Sequence, residues 1–420
     1  MKAEILIITR KGVPNMKDKV ILAYSGGLDT TAIIPWLKEN YDYDVVCCCI
    51  DVGQGNELDG LEERAKVSGA IKLYIEDVVD EFCDDYVVPC VQANAIYENK
   101  YLMGTAMARP VIAKKLVEIA RKEGAVAICH GATGKGNDQV RFELGIKALA
   151  PDLKIIAPWR TWKISSRDEE IKYCEDHDIY LPFSADNSYS RDRNLWHISH
   201  EGLELEDPAS APNYDHLLVL GVTPEKAPDE PEELTIDFEK GVPTAINGER
   251  MKVSDIIRKL NELGGKHGIG IVDIVENRIV GMKSRGVYET PGGTILMEAH
   301  QQLEELILDK DTTIAKRQIA VQYADQVYSG KWFTPLREAL QAFIESTQEY
   351  VTGTVKMKLY KGNIIKQGTT SPYSLYNESL ASFTTGDLYD HHDAEGFITL
   401  YGLSSKVRAM KMQEVKKNNK

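Results

Sequence analysis

The sequence predicts an α/β protein, with a doubly wound parallel sheet first, a second α+β region after it, and a helical C-terminal arm. Three observations carry this. Short β-prone runs alternate with helical stretches from Lys19 to about Phe183, the pattern of βαβ units in a sheet covered on both faces. Glycine-rich turns follow two of those runs, after Tyr24 and after Cys129. Beyond Phe183 the alternation stops, and a polar run from Ser184 to Ser210, rich in Asn, Ser, Asp and Arg, leads into a mixed region.

The elements follow in order. Val20 to Tyr24 reads as a strand, and Asp29 to about Glu39 as a helix. Asp44 to Asp51 is a second, buried strand, followed by a helix from about Leu58 to Ser68 and a strand over Ile71 to Ile75. Pro110 to Lys122 is a helix with proline in its first turn and Ile112, Leu116, Ile119 and Ala120 on one face. Val126 to Cys129 is a strand, and Ile155-Ile156 and Tyr180-Leu181 supply two more. Downstream, Thr223 to Glu239 is acidic and proline-bearing, a solvated loop that leads into a strand. Asp255 to Leu263 and Thr294 to Leu308 are helices, and Arg278 to Met282 reads as a strand. The tail from Ser404 to Val415 forms a helix with Val407, Met410 and Val415 roughly aligned, ending in solvated lysines. Residues 1–15 precede Met16 and the first convincing strand; they are either a leader or, through Ile5 to Ile8, an edge strand.

A chain of 420 residues can bury two or three cores. Its hydrophobic share of 43% and charged share of 27% are those of a soluble globular protein. Apolar runs are strand-length, short of a membrane span, and Glu4 to Ile8 is too short for a secretory signal. The cytoplasm is the expected location, without a membrane partner. A net charge of −14 argues against a large nucleic-acid footprint, which needs a Lys/Arg excess. It leaves room for small anionic substrates held by a local cluster. The seven cysteines form no C-x-x-C pair, and Cys47-Cys48-Cys49 reads as strand filling.

The strongest motif is Ser25-Gly26-Gly27-Leu28-Asp29-Thr30-Thr31, between a strand and a helix. Two glycines let successive N–H groups face an anion, and the helix N-terminus adds partial positive charge. Ser25, Thr30 and Thr31 offer hydroxyls; Asp29 caps the helix or helps position a divalent ion beside phosphates. Walker A spacing is absent. The second motif, His130-Gly131-Ala132-Thr133-Gly134-Lys135-Gly136-Asn137-Asp138-Gln139-Val140-Arg141, sets polar side chains densely on a glycine backbone at another strand's carboxyl end. In open parallel sheets that end is where ligands bind. His197 and His200 lack a third ligand at metal spacing and read as structural, and His391-His392-Asp393 reads as a polar turn. No metal-ligand set is assigned.

The S-G-G-x-D signature resembles the PP-loop family, whose members cleave ATP between the α and β phosphates. Ala23 to Thr30 and His130 to Glu143 together resemble the argininosuccinate synthase family. So do Tyr101 to Thr105, Ala108-Arg109-Pro110, Ala157 to Arg160, Gly264 to Gly268, Asp273 to Arg278 and Gly281 to Pro291. The blocks run in order from about Lys19 to the tail. The resemblance implies a ligase of arginine biosynthesis. Citrulline's ureido oxygen attacks the α-phosphate of ATP, giving citrullyl-AMP and pyrophosphate; aspartate's amine then displaces AMP. Mg²⁺ is implied alongside ATP, as is a homotetramer with the C-terminal helix reaching a neighbour.

Carried over by residue, the resemblance assigns Ala23, Tyr24, Ser25, Gly26, Gly27, Leu28, Asp29, Thr30, Thr31 and Gly131 to ATP. It assigns Tyr101, Thr105, Asn137, Arg141, Ser190, Ser199, Glu276 and Tyr288 to citrulline, and Thr133, Asn137 and Asp138 to aspartate. Arg141 suits a carboxylate fork, Glu276 an ammonium or ureido N–H, and Asp138 the aspartate amine. It also implies a division into a leader (1–18), a PP-loop nucleotide-binding domain (19–184), a synthetase domain (185–385) and an oligomerisation arm (386–420). Ala106 departs from members with serine there, and Thr161 to Glu170 matches poorly, which leaves that loop's role open. Two other readings compete. Another PP-loop enzyme would bring a glutaminase domain, or a basic surface with reactive cysteines; a silent scaffold would have no reason to retain every charged group in these motifs.

Overall fold

The computed structural model describes residues 17–164, 166–179, 189–381 and 390–419. The expected strand at Tyr180-Leu181 and the leader through residue 16 lie outside the described residues. Two compact units divide at Pro372/Tyr373.

The first unit opens with β1 (Lys19–Ala23), β2 (Asp44–Asp51), β3 (Lys72–Asp77), β4 (Ala127–Cys129) and β5 (Lys154–Ile156). They form a parallel sheet in the order β3-β2-β1-β4-β5. Its strands read as continuous apolar runs because both faces are covered. Val20, Leu22, Cys47 and Cys49 pack with Ile33, Ile34 and Leu37 of helix α1 (Leu28–Tyr41) on one side. Ile21, Val46 and Cys48 face the Gly104–Glu123 helix on the other. The chain leaves β1 toward β2 and leaves the adjacent β4 toward β5, on opposite sides. The turns after β1 and β4 therefore stand together at a topological switch point.

Downstream come β6 (Ser190–Arg193), β7 (Ile198–Glu201), β8 (Glu232–Glu239), β9 (Val242–Ile246) and β10 (Glu249–Arg250). They are followed by β11 (Ile271–Asn277), β12 (Lys283–Glu289), β13 (Gly353–Tyr360) and β14 (Asn363–Thr370). Two antiparallel sheets result, ordered β10-β9-β8-β13-β14 and β11-β12-β7-β6. In β8, Leu234, Ile236 and Phe238 alternate inward and join Met357 and Ile256 in the same continuous core as Ile21 and Val46.

Several element boundaries differ from the sequence expectation. The helix read from Pro110 begins at Gly104, with Pro110 inside it. Proline costs a helix interior about 3 kcal/mol, and the buried run Gly104–Ala108 offsets that by packing. Arg278 to Met282 is a turn rather than a strand. Arg278 N–H donates to Met282 O (2.9 Å), and Gly281 has φ 92°. The apolar residues that suggested a strand there instead cap the β11–β12 hairpin. The helix expected from Leu58 is broken by Gly60 (φ 72°) into a 3₁₀ turn, Gly55–Leu58, and the helix Leu61–Val67.

In the second unit, His391 precedes the helix His392–Tyr401, and Gly402 joins it to Leu403–Asn418. The expected polar turn at His391-His392-Asp393 is thus a helix start. Val407, Met410 and Val415 are each about half exposed (52%, 54% and 49%).

Candidate active site

The first wall is made by the turn after β1. Tyr24 N–H donates to Cys48 O (2.9 Å), and the backbone then swings through Gly26 at φ 75°. A side chain at Gly26 would stand 2.2 Å from Leu61 Cδ2, so conformation and space both demand glycine. Gly27 caps α1 without a side-chain acceptor, which leaves first-turn N–H groups and the helix dipole for a ligand. Ser25 Oγ and Thr30 Oγ1 are 3.2 Å apart, and Thr30 Oγ1 donates to Gly27 O (3.3 Å).

Ala23 through Thr30 line a cavity of about 670 Å³, with Gly131 facing them from the turn after β4. Thr31 does not line it. Its fully buried hydroxyl lies 3.3 Å from Tyr24 Oη, so Thr31 braces the turn from beneath. Arg64, Arg109, Arg167, Arg191 and Arg193 also line the cavity, against Asp29, Glu57, Asp138 and Asp192. This guanidinium excess suits a polyanion. Arg167 comes from the stretch whose role the sequence left open. Beside it, Glu170 is buried, and burial followed by the nearby Asp29 carboxylate pushes its carboxyl up to about 8.

The second cavity, about 250 Å³, is walled by the β11-β12-β7-β6 sheet. Its register explains the lining. Asp192 pairs with Ser199, and Ser199 with Tyr288; residues directly opposite in antiparallel strands share a face. Ser190 and Glu201 stand opposite each other two positions along, and Glu276 follows on β11. That face carries Ser190, Asp192, Ser199, Glu201, Glu276 and Tyr288 to the cavity. Tyr101, Thr105, Thr133, Asn137, Asp138 and Arg141 enter from the other side. Every residue assigned by resemblance to citrulline or aspartate thus lines one cavity. It shares Gly131, Ala132, Asp138, Ser190 and Asp192 with the first, so the two adjoin.

Charge is arranged along the shared wall. Asp138 opens the helix Asp138–Leu149, where acid complements the dipole. Arg109 Nε and Nη2 donate to its Oδ2 (3.0 and 2.8 Å), and Arg141 Nη1 to its Oδ1 (2.9 Å). Burial alone would raise the Asp138 carboxyl, but the two guanidiniums outweigh it and hold it below the usual carboxylate range. Arg109 Nη2 also donates to Asp192 Oδ1 (2.8 Å). Arg141 is fixed by Nε donating to Tyr328 O (2.9 Å) and by the Tyr328 ring 4.9 Å from its Cζ. Asn137 is held at both ends: Nδ2 donates to Tyr328 Oη (2.8 Å), and Oδ1 accepts from Ile279 N–H (2.9 Å).

Glu276 differs. Tyr288 Oη donates to its Oε1 (3.2 Å), but its buried Oε2 has no partner among the described residues. Burial first raises its carboxyl, against the lowering effect of Arg141 and the Tyr288 hydroxyl. Burial also lifts the phenols of Tyr101 and Tyr288 well above their ordinary value, so both remain donors. An acid with a spare oxygen opposite a fixed guanidinium is the recognition set for a zwitterion. His197 and His200 fall on opposite faces of β7's sheet. His200 bonds Glu289 Oε1 (2.8 Å) while His197 meets Thr105, so they cannot share a metal ion. Cys48 and Cys49 reach the first cavity, yet burial pushes both thiols well above their ordinary value, leaving them unreactive.

Sequence reasoning missed Arg109, Asp192, Arg193 and the Arg278–Glu201 pair, whose Nη2 meets both carboxylate oxygens at 2.8 Å. Arg109 lay in a quoted block without a role, and Asp192 in the polar run. Nothing local marked Tyr328, which arrives from a distant helix.

Comparison with known proteins adds the following. The description "Arginosuccinate synthase N-terminal HUP domain" matches residues 19–180, and "Arginosuccinate synthase C-terminal domain" matches residues 189–408. The chain is 81% identical to the argininosuccinate synthase of Lachnoclostridium phytofermentans, over 96% of this chain and all of that one. It is 78% identical to that of Agathobacter rectalis and 77% to that of Lachnospira eligens, with the same coverage.

Proposed function

The chain belongs to the argininosuccinate synthase family, and from that premise we propose that its two adjoining cavities divide one reaction between them. The enzyme joins L-citrulline to L-aspartate and cleaves ATP to AMP and pyrophosphate. In our reading, ATP occupies the cavity lined by Ala23 to Thr30 and Gly131, with its phosphates toward the α1 N-terminus and the arginines. Citrulline and aspartate occupy the cavity lined by Glu276 and Arg141. The observation that carries this is the wall the cavities share at Asp138, where an α-phosphate and a ureido oxygen can meet.

The steps then follow. The ureido oxygen attacks the α-phosphorus, the bond to the bridging oxygen breaks, and pyrophosphate leaves. The aspartate amine attacks the ureido carbon, and AMP departs with the former ureido oxygen. No enzyme nucleophile is required, so the protein contributes orientation and charge stabilisation. Arg141 holds a carboxylate and the Glu276 oxygen an ammonium or N–H group. Asp138, kept ionised by two arginines, is a weak base. Its role is to orient the aspartate amine through its remaining lone pairs, not to take its proton.

Mg²⁺ accompanies ATP in this reading, and the residues fit it. Asp29 is a carboxyl oxygen donor lining the phosphate end beside the hydroxyls of Ser25 and Thr30, the hard oxygen ligands that magnesium favours. Bound there, the ion neutralises phosphate charge. The chain divides into a nucleotide-binding domain (19–184), a synthetase domain (185–385) and an arm (386–420). The exposed Val407, Met410 and Val415 support a homotetramer built partly through that arm, which light scattering of the purified protein checks. We place the enzyme in the cytoplasm: all seven thiols are buried and unpaired, as a reducing compartment keeps them.

The test is omission. With ATP, Mg²⁺, citrulline and aspartate present, AMP and pyrophosphate appear together with argininosuccinate. AMP release that persists without citrulline contradicts this division of the cavities.

A further inference from the structure

Behind the amino-acid cavity stands His197, fully buried and without contact with the substrate cavity itself. Its Nε2 lies 3.0 Å from Thr105 Oγ1, and that hydroxyl donates to Asp192 Oδ2 at 2.7 Å. Asp192 is in turn held by Arg109 (2.8 Å), so it is a carboxylate that can only accept. The Thr105 proton is therefore committed to Asp192, and what Thr105 turns toward the imidazole is a lone pair. His197 must carry its proton on Nε2. Its other nitrogen, Nδ1, is buried with no partner among the described residues, as a bare acceptor lone pair there requires none.

The surroundings keep the ring in this form. Burial first, then Arg109, His200 and Arg141, depress its pKa to about 4 against the opposing pull of Asp192. The ring lies parallel to Tyr288 (5.9 Å, 8°) and next to Tyr101 (6.0 Å). Gly104 makes room for it, because a Cβ there would stand 2.3 Å from His197 Cδ2. Asn194 Oδ1 accepts from the His197 backbone N–H (3.2 Å), which fixes the ring's starting point.

We propose that His197 is a positioning residue for the amino-acid cavity. As a neutral donor to Thr105 Oγ1 it fixes that hydroxyl as a donor to Asp192 and an acceptor toward the bound amino acid. Thr105 has two lone pairs and one proton. One lone pair takes the His197 N–H and the proton goes to Asp192, so the second lone pair is what Thr105 offers to the neighbouring Tyr101 hydroxyl and to the cavity. Thr105 is thereby specific for a substrate N–H, whether ammonium or ureido, and turns away a carboxylate oxygen. This inference rests on the cavity holding citrulline, as argued above.

The experiment is a double-mutant cycle on the full-length enzyme. His197→Leu removes the donor, His197→Gln restores an N–H at about the same reach, and Thr105→Val removes the hydroxyl at constant shape. His197→Leu is expected to raise the KM for citrulline roughly tenfold, the scale of one well-placed hydrogen bond, with the KM for ATP unchanged. His197→Gln stays within about threefold of wild type. In the Thr105→Val background, His197→Leu adds less than about twofold, because its effect passes through the hydroxyl. Equal losses for Leu and Gln, or a full tenfold loss in the Thr105→Val background, would overturn the proposal and leave His197 as packing. The unchanged ATP KM guards against misreading a misfolded variant. A wild-type enzyme without citrulline-dependent turnover would refute the function assigned to the cavity, a separate outcome.

Discussion

Asp138→Asn is expected to leave ATP affinity within about twofold of wild type while slowing the aspartate-dependent step by about 10²-fold or more. The size follows from where the charge sits. Asp138 accepts from Arg109 twice and from Arg141 once. Removing one member of a buried, hydrogen-bonded charge set costs about 2–5 kcal/mol. The loss is selective because Arg109 keeps its second partner, Asp192, on the nucleotide side. Arg141 loses its carboxylate partner and retains only Tyr328. The amide also offers N–H where the aspartate amine needs an acceptor. Steady-state kinetics with aspartate varied, beside calorimetric ATP binding, measure both. Collapsed ATP affinity with unchanged aspartate dependence would sink the role given to Asp138.

Glu276→Gln is expected to raise the KM for citrulline by about 10²-fold, and its pH signature separates it from a packing defect. Burial raises the Glu276 carboxyl above its ordinary value, and only the ionised form pairs with an ammonium. In wild type, kcat/KM for citrulline therefore falls as pH drops through a value above 4.5, the ordinary glutamate value. The glutamine enzyme lacks that limb and starts lower. Stability runs the other way. A carboxyl whose folded pKa is raised favours folding most below its unfolded pKa, and loses that contribution as pH rises through the folded one. When ionised, this buried carboxylate, with one oxygen unpartnered among the described residues, is a burden on the free protein. Glu276→Gln should thus melt no lower than wild type. A clear drop in melting temperature, or a citrulline pH profile like wild type's, contradicts this account.

Much of this site was legible in the sequence because its first wall is local. A strand, two glycines and a helix start fall within Val20 to Thr31, and each leaves a composition signal. The parallel sheet was legible for the same reason: β1 and β2 are buried on both faces and read as unbroken apolar runs. The second wall was not. Its register brings Asp192, Ser199 and Tyr288 together from three strands, and short strands such as Ser190–Arg193 carry no apolar alternation to announce them. Family resemblance supplied Ser199 and Tyr288 but not Asp192 or Arg109, whose importance lies in what they hold in place. Thr31 shows the converse. It belongs to the motif by sequence, yet the helix turns it inward to Tyr24. Pro110 misled because burial of the preceding turn outweighed a local preference.

The central claim is that citrulline is activated on its ureido oxygen where the two cavities meet. Citrulline labelled with ¹⁸O in the ureido group tests this most directly, with the products read by mass spectrometry. The account predicts one ¹⁸O in each AMP and none in pyrophosphate or argininosuccinate. Unlabelled AMP, or label in pyrophosphate, would contradict it.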